Sequence, residues 1–218
     1  MSLGCRVRRL SEEANLPDSV FVEDTAIVLD DVAVITRPGA ILRRDETESV
    51  AEVLSEYRRL YHLTDPGTLD GGDVLQVGKT LVVGNTIRSN ISGIKQLMEI
   101  VAHYGYDVEV VSVEGCLHLK SAVTLIGEGT LLINRSWVDA NSFGAMAFID
   151  IDPGEPYAAN ALLVGDDLVY PASFPKTRLR LESKGIKVRV VDVSELQKAE
   201  GALTCCSLIF DKDGEANA

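Results

Sequence analysis

Apolar residues in this chain come in short paired runs, each folded back on itself by a polar or glycine turn. DTAIVLDDVAVITRP (24–38) is two such runs around Asp30-Asp31, and DVLQVGKTLVVG (73–84) is two around Gly78-Lys79. SAVTLIGEGTLLIN (121–134) and NALLVGDDLVYP (160–171) repeat the pattern, again with glycine near the turn. Short apolar runs bounded by turn residues read as hairpin strands. Between them lie stretches with apolar residues at helical spacing. Val50, Val53, Leu54, Tyr57 and Leu60 share a face in 45–60, and Ile91, Ile94, Leu97, Met98 and Val101 do so in 90–104. A further helix is expected near 174–184, stopped by Gly185, with third strands at DVEVVSV (107–113) and IKVRVVDV (186–193).

The pattern is a repeat. Its units start at Asp24, Asp73, Ser121 and Asn160, with a fifth start at Cys205, 39 to 49 residues apart. A period of that size means stacked or radially arranged units. The fifth unit stops after its first strand, LTCCSLIF, while CRVRRL (5–10) at the other end reads as a lone strand. Joining the two closes a ring, which removes exposed sheet edges. An open α/β sheet is the alternative.

The chain has 218 residues, 46% hydrophobic and 25% charged, with a net charge of −12. That balance fits one globular domain over 1–218, with 1–4 and 211–218 as tails, and argues against nucleic acid, whose binders carry basic patches. No apolar run is long enough to span a membrane. Four cysteines without framework spacing suggest reduced thiols and a cytoplasmic setting.

In a radial fold the unit starts converge near the axis. The polar residues there are Asp18, Glu23 and Asp24; Asp70 and Asp73; His118 and Ser121; Asn160; and Cys205 with Cys206. A thiol, a histidine and carboxylates are the parts of an activated nucleophile: an imidazolium lowers the thiol pKa and a carboxylate supports the imidazolium. Extra carboxylates suit a cationic substrate. Each feature also has a plainer reading: LDGGDVL as a turn, His118 as a structural histidine, Arg43-Arg44 as a solvated helix start. Cys116, two residues before His118, has no second ligand pair of suitable spacing, so no metal site is expected. Strand alternation would send Cys205 and Cys206 to opposite faces.

PDSVFVED, ITRPGA followed by Arg43-Arg44, TLDGGDVL, GCLHLKS and LTCCS stand in the order found in dimethylarginine dimethylaminohydrolases, and the chain resembles that family from about residue 5 to 210. The resemblance implies the five-bladed α/β-propeller, or pentein, fold of ββαβ units. It also implies hydrolysis of Nω-methylated arginine to citrulline and methylamine or dimethylamine through a covalent thiouronium, without cofactor or metal. Position by position, it implies Cys205 as nucleophile, His118 as general acid then base, and Asp70 as the carboxylate orienting His118. Glu23 and Asp24 would grip the guanidinium, Arg43 and Arg88 would bind the α-carboxylate, and Asp18 with the main-chain oxygen near Ala199 would bind the α-amino group. Phe21 would line the pocket. Lys120 stands where arginine deiminases have aspartate, which favours the methylarginine enzyme. A guanidine deiminase of the same fold and a non-catalytic scaffold remain the alternatives.

The family's chains begin with a further strand, a helix and a substrate-covering loop, for which the residues before Cys5 are too few. The expectation is an incomplete fifth unit, weak turnover without the lid, and self-association that covers the gap.

Overall fold

Asp30-Asp31 turns the first apolar pair into a hairpin. β1 (Ala26–Val28) runs antiparallel to β2 (Val32–Ile35), with Val28 opposite Ala33. The chain then crosses over through α1 (Thr47–Leu54) and returns as β3 (Arg59–His62), parallel to β2. This computed structural model describes residues 3–212, and the same unit recurs three more times within them. The second has β4 (Val74–Val77), β5 (Thr80–Asn85), α2 (Ile91–Ala102) and β6 (Asp107–Ser112). The third has α3 (Leu119–Ala122), β7 (Val123–Gly127), β8 (Thr130–Ile133) and β9 (Ala147–Asp150). The fourth has β10 (Leu162–Val164), β11 (Asp167–Pro171), α4 (Pro175–Ser183) and β12 (Val188–Val191). In every sheet the first two strands are antiparallel and the third is parallel to the second.

Local chemistry sets the element limits. Asn90 caps α2, its side chain accepting from the Gly93 amide at 2.8 Å. Pro175 opens α4, where its missing N–H costs nothing. Gly185 ends that helix at φ +81°.

Three expectations change. The helix over 45–60 stops at Leu54, and Leu60 lies in β3, because the crossover must come back to hydrogen-bond with β2. The third unit replaces its helix with a 3-10 turn at Ala140–Phe143 and carries a third strand, β9, that the periodicity did not reveal. Among the described residues, 5–10 and 203–210 form no strand. Thr204–Cys206 is instead one 3-10 turn. A strand needs a partner for its backbone groups. Here Leu10, Leu208 and Phe210 instead each pack onto the core around Ala26, Ile35 and Val50. Both segments thus pack on the first unit's core rather than in a sheet ladder.

The first strands surround an axial cavity of about 300 Å³, lined by Ala26, Val74, Leu125, Leu163 and Ile209 among others. Apolar cores fill the space between neighbouring units. Among the described residues, no helix is long and apolar enough to cross a membrane.

Candidate active site

The turn before each first strand carries the polar residues, and those turns are tied to one another around the axis. Asp24, on the 3-10 turn Val22–Thr25, accepts from the Gly72 amide at 3.0 Å. Asp73, on the turn Gly71–Asp73, accepts from the Leu119 amide at 2.9 Å. Asn160 Nδ2 donates to the Lys120 carbonyl at 2.9 Å and to Thr204 Oγ1 at 3.0 Å. Thr204 Oγ1 donates in turn to Glu23 Oε2 at 2.7 Å, which closes the circle. Aspartate, glycine and asparagine suit these turns because their side chains or backbone freedom compete with regular structure. Side-chain hydrogen bonds thus link five unit starts, the fifth included, although the fifth has no strand.

The centre of the belt is a buried acid-base cluster. His118 immediately precedes α3, and its Nε2 lies 3.0 Å from Asp70 Oδ2 and 3.9 Å from Asp24 Oδ1. Asp70 is fully buried, its Oδ1 accepting from the Gly39 amide at 2.9 Å. Burial alone would lower the His118 pKa. The hydrogen bond to Asp70 and the charges of Asp24, Asp73 and Asp70 overcome it and hold the imidazole up at about 9. Asp73 goes the other way from an ordinary carboxylate: burial pushes it up to about 6, against the pull of His118, Ser89 and Thr86. Ser89 joins the two acids, donating to Asp73 Oδ2 at 2.5 Å and accepting from the Asp70 amide at 3.1 Å.

Cys205 sits on the Thr204–Cys206 turn, half-buried, its Sγ accepting from the Ala202 amide at 3.4 Å. Burial, and then the Glu23 carboxylate, push its thiol up to about 12. Because both cysteines lie on a helical turn, strand alternation does not separate them; Cys206 is also half-buried and its thiol is also raised by burial. Cys116 donates to the His118 carbonyl at 3.3 Å, and burial lifts its thiol to about 12.

The remaining expected residues divide. Glu23 is buried and bound by Lys120 Nζ at 2.6 Å as well as by Thr204. Arg43 is buried too, its guanidinium spread over Asp24 at 2.6 Å, Glu46 at 2.8 Å and the Phe21 carbonyl at 3.1 Å. Glu46, a partner the sequence reading passed over, lies one helical turn from Arg43, the only signal it offered. In this structure the Arg43 guanidinium braces Asp24 and Glu46. Arg88 differs: among the described residues its buried Nη1 has no hydrogen-bond partner, and it lies 4.0 Å from Asp70 Oδ2. Asp18 is exposed, and its carbonyl accepts from Arg43 at 3.4 Å. Phe21 is buried against Gly201, where an added Cβ would come within 2.4 Å of the ring. Ala199 lies on the exposed loop after a short turn, α5 (Ser194–Gln197), beside Glu200, which holds φ +59°. Such a φ is uncommon outside glycine.

Asp24, Asp70 and His118 bring one donor atom each within 4.8 Å, close enough to consider a cation. The donor set suits protons better. An imidazole with a pKa of about 9 is itself a cation at neutral pH and offers no lone pair to a metal at Nε2.

The arginine deiminase family model matches residues 12–161. An N(G),N(G)-dimethylarginine dimethylaminohydrolase from Pseudomonas aeruginosa is 36% identical over 203 residues, 92% of this chain and 80% of its own length. The enzyme of that name from Streptomyces coelicolor is 42% identical over 193 residues, 88% of this chain and 74% of its own. The solved Pseudomonas aeruginosa structure, a cysteine-to-serine mutant complexed with citrulline, superposes with a TM-score of 0.86 at 34% identity, covering 91% of this chain and 78% of that one. The fold is the α/β-propeller that these proteins share.

Proposed function

We propose, from the premise that this chain belongs to the dimethylarginine dimethylaminohydrolase family, that it hydrolyses Nω-methylated arginine to citrulline and the corresponding methylamine. The observation that carries the assignment of roles is the buried His118–Asp70 pair, with Asp24 beside it, on the same belt of turns as Cys205. A guanidinium is a poor electrophile because its charge is delocalised, and an amine leaves badly unless protonated. A soft sulfur nucleophile, a protonated imidazole and a carboxylate that holds the cation answer these difficulties in turn.

In this reading Cys205 and His118 rest as thiol and imidazolium. A guanidinium seated by Asp24 places a positive charge near Cys205 and favours its thiolate, the thiol proton passing to solvent. Sulfur attacks the central carbon, and the imidazolium gives its proton to the departing methylamine. The resulting thiouronium is attacked by water, with His118 as base, and citrulline leaves as the thiol re-forms. Asp70 fixes the imidazole and supports its charge. Arg88, whose buried Nη1 has no hydrogen-bond partner among the described residues, is the arginine we assign to the substrate's α-carboxylate; Arg43 we assign to holding Asp24. We assign Asp18 and the carbonyl near Ala199 to the substrate's amino end, and Phe21 to the pocket wall. Glu23, held by Lys120 and Thr204, is the second carboxylate we assign to the guanidinium. No step calls on a cofactor. A reducing compartment such as the cytoplasm suits a nucleophile that must stay a thiol.

The test is product analysis with Nω,Nω-dimethylarginine, monomethylarginine and arginine. Citrulline and dimethylamine from the first, abolished by Cys205→Ser, is the expected result. Ammonia from arginine with no dimethylamine would give the deiminase reading instead, and no Cys205-dependent product at all would leave a scaffold.

A further inference from the structure

Glu23 has one counter-ion among the described residues. Lys120 Nζ lies 2.6 Å from its Oε1, in a pair whose side chains are 17% and 8% exposed. The opposite oxygen, Oε2, is held at 2.7 Å by Thr204, the residue directly before Cys205. Glu23 is therefore anchored to the turn that carries the thiol. Glu23 and Asp24 from the turn before β1, and Cys206 on its own turn, all oppose a thiolate at Cys205. Asp24 is offset by Arg43 at 2.6 Å. Glu23 depends on Lys120 alone.

We propose that Lys120 is a positioning residue: its ammonium neutralises Glu23 and so keeps Cys205 able to ionise. The catalytic meaning of this step rests on the hydrolase reading above, but the thiol itself tests it without substrate. A carboxylate stripped of its cation at this depth acts through a low effective dielectric, so its charge reaches the neighbouring sulfur with little screening. The Lys120 carbonyl also accepts from Asn160 Nδ2, but that backbone link survives any side-chain change.

The experiment follows alkylation of Cys205 by iodoacetamide from pH 6 to 10, resolved by mass spectrometry, in a Cys5→Ser background that removes the exposed competing thiol. Lys120→Met is expected to move the profile to higher pH, with labelling on the order of tenfold slower at neutral pH, the effect of about one pKa unit. Lys120→Arg keeps the cation and should label within about twofold of the parent. Glu23→Gln combined with Lys120→Met should return the rate to the parent's or above it, since the burden is the bare carboxylate. A Lys120→Met profile that overlays the parent's, or a double variant as slow as the single, overturns the inference. Should Lys120→Met fail to fold, Glu23→Gln alone decides: faster labelling than the parent supports the inference, and unchanged or slower labelling overturns it. A parent chain that makes no citrulline while these shifts hold would refute the hydrolase reading and leave the Lys120 effect standing.

Discussion

His118 Nε2 sits 3.0 Å from Asp70 Oδ2, and neither side chain has appreciable contact with water. The pair makes the folded protein a better proton acceptor than the unfolded chain, since the imidazole rises from its usual 6.5 to about 9. A raised folded pKa contributes stability that is complete below pH 6.5 and is lost as pH climbs through about 9. The size is on the order of 3 kcal/mol. Urea unfolding at pH 6.5 and 9.5 is expected to show that loss, and Asp70→Asn should flatten it. A midpoint that stays constant across this window in the native chain would contradict the assignment.

The thiol of Cys205 is held up at about 12, chiefly by burial and then by Glu23. At neutral pH a neutral reagent meets almost no thiolate. A cationic haloacetamidine brings its own positive charge to the Asp24 side of the site. In the Cys5→Ser background it should label Cys205 at pH 7 at least tenfold faster than iodoacetamide, after both rates are divided by those for free cysteine. Equal normalised rates would mean that the site does not gather cations beside the sulfur.

The repeat was legible because its signal is local. Paired apolar runs around Asp30-Asp31 and Gly78-Lys79 become hairpins where the pattern put them. The unit starts were legible for the same reason, turn chemistry at regular spacing. What escaped was tertiary. β9 has an unremarkable sequence and exists because β8 offers it a parallel edge. The stretch 205–210 looks like a strand, but packing against the first unit claims its apolar residues. The pairing of Arg43 with Glu46, three residues on, is not legible either, because a spacing of three does not show which side chains fold onto each other. Ser89 and Thr204 were invisible as site residues, since lone hydroxyls acquire a role only from what they touch.

Arg43 and Arg88 should separate by readout. Arg43→Ala strands the Asp24 and Glu46 carboxylates in a buried place, and breaking such a pair costs roughly 3–5 kcal/mol. Arg88→Ala removes a side chain whose Nη1 has no hydrogen-bond partner, so stability should fall by less than about 1 kcal/mol. Its effect belongs in KM for dimethylarginine, which should rise at least tenfold with a smaller change in kcat. Denaturation and kinetics on both variants check this. Equal destabilisation by the two, or an unchanged KM in Arg88→Ala, would reverse the roles.

Gly72 sets how closely the second unit approaches His118. A Cβ built there would lie 2.8 Å from Asp24 Oδ1 and 2.9 Å from both Cγ and Nδ1 of His118. Those distances are inside van der Waals contact, and the neighbours are not flexible chain ends. Asp24 is pinned by Arg43, and His118 by Asp70. Gly72→Ala must therefore push the imidazole or the carboxylate aside. Overpacking of this kind costs about 1–3 kcal/mol, which a domain of this size can survive folded. A displacement near 1 Å at a reacting group is worth on the order of a hundredfold in rate. The expected outcome is a folded variant whose kcat for dimethylarginine falls about a hundredfold. Its pH–stability curve between 6.5 and 9 should also flatten, because the His118–Asp70 bond lengthens. A Gly72→Ala chain with native kcat and a native pH–stability curve would show that His118 does not depend on this contact for its place.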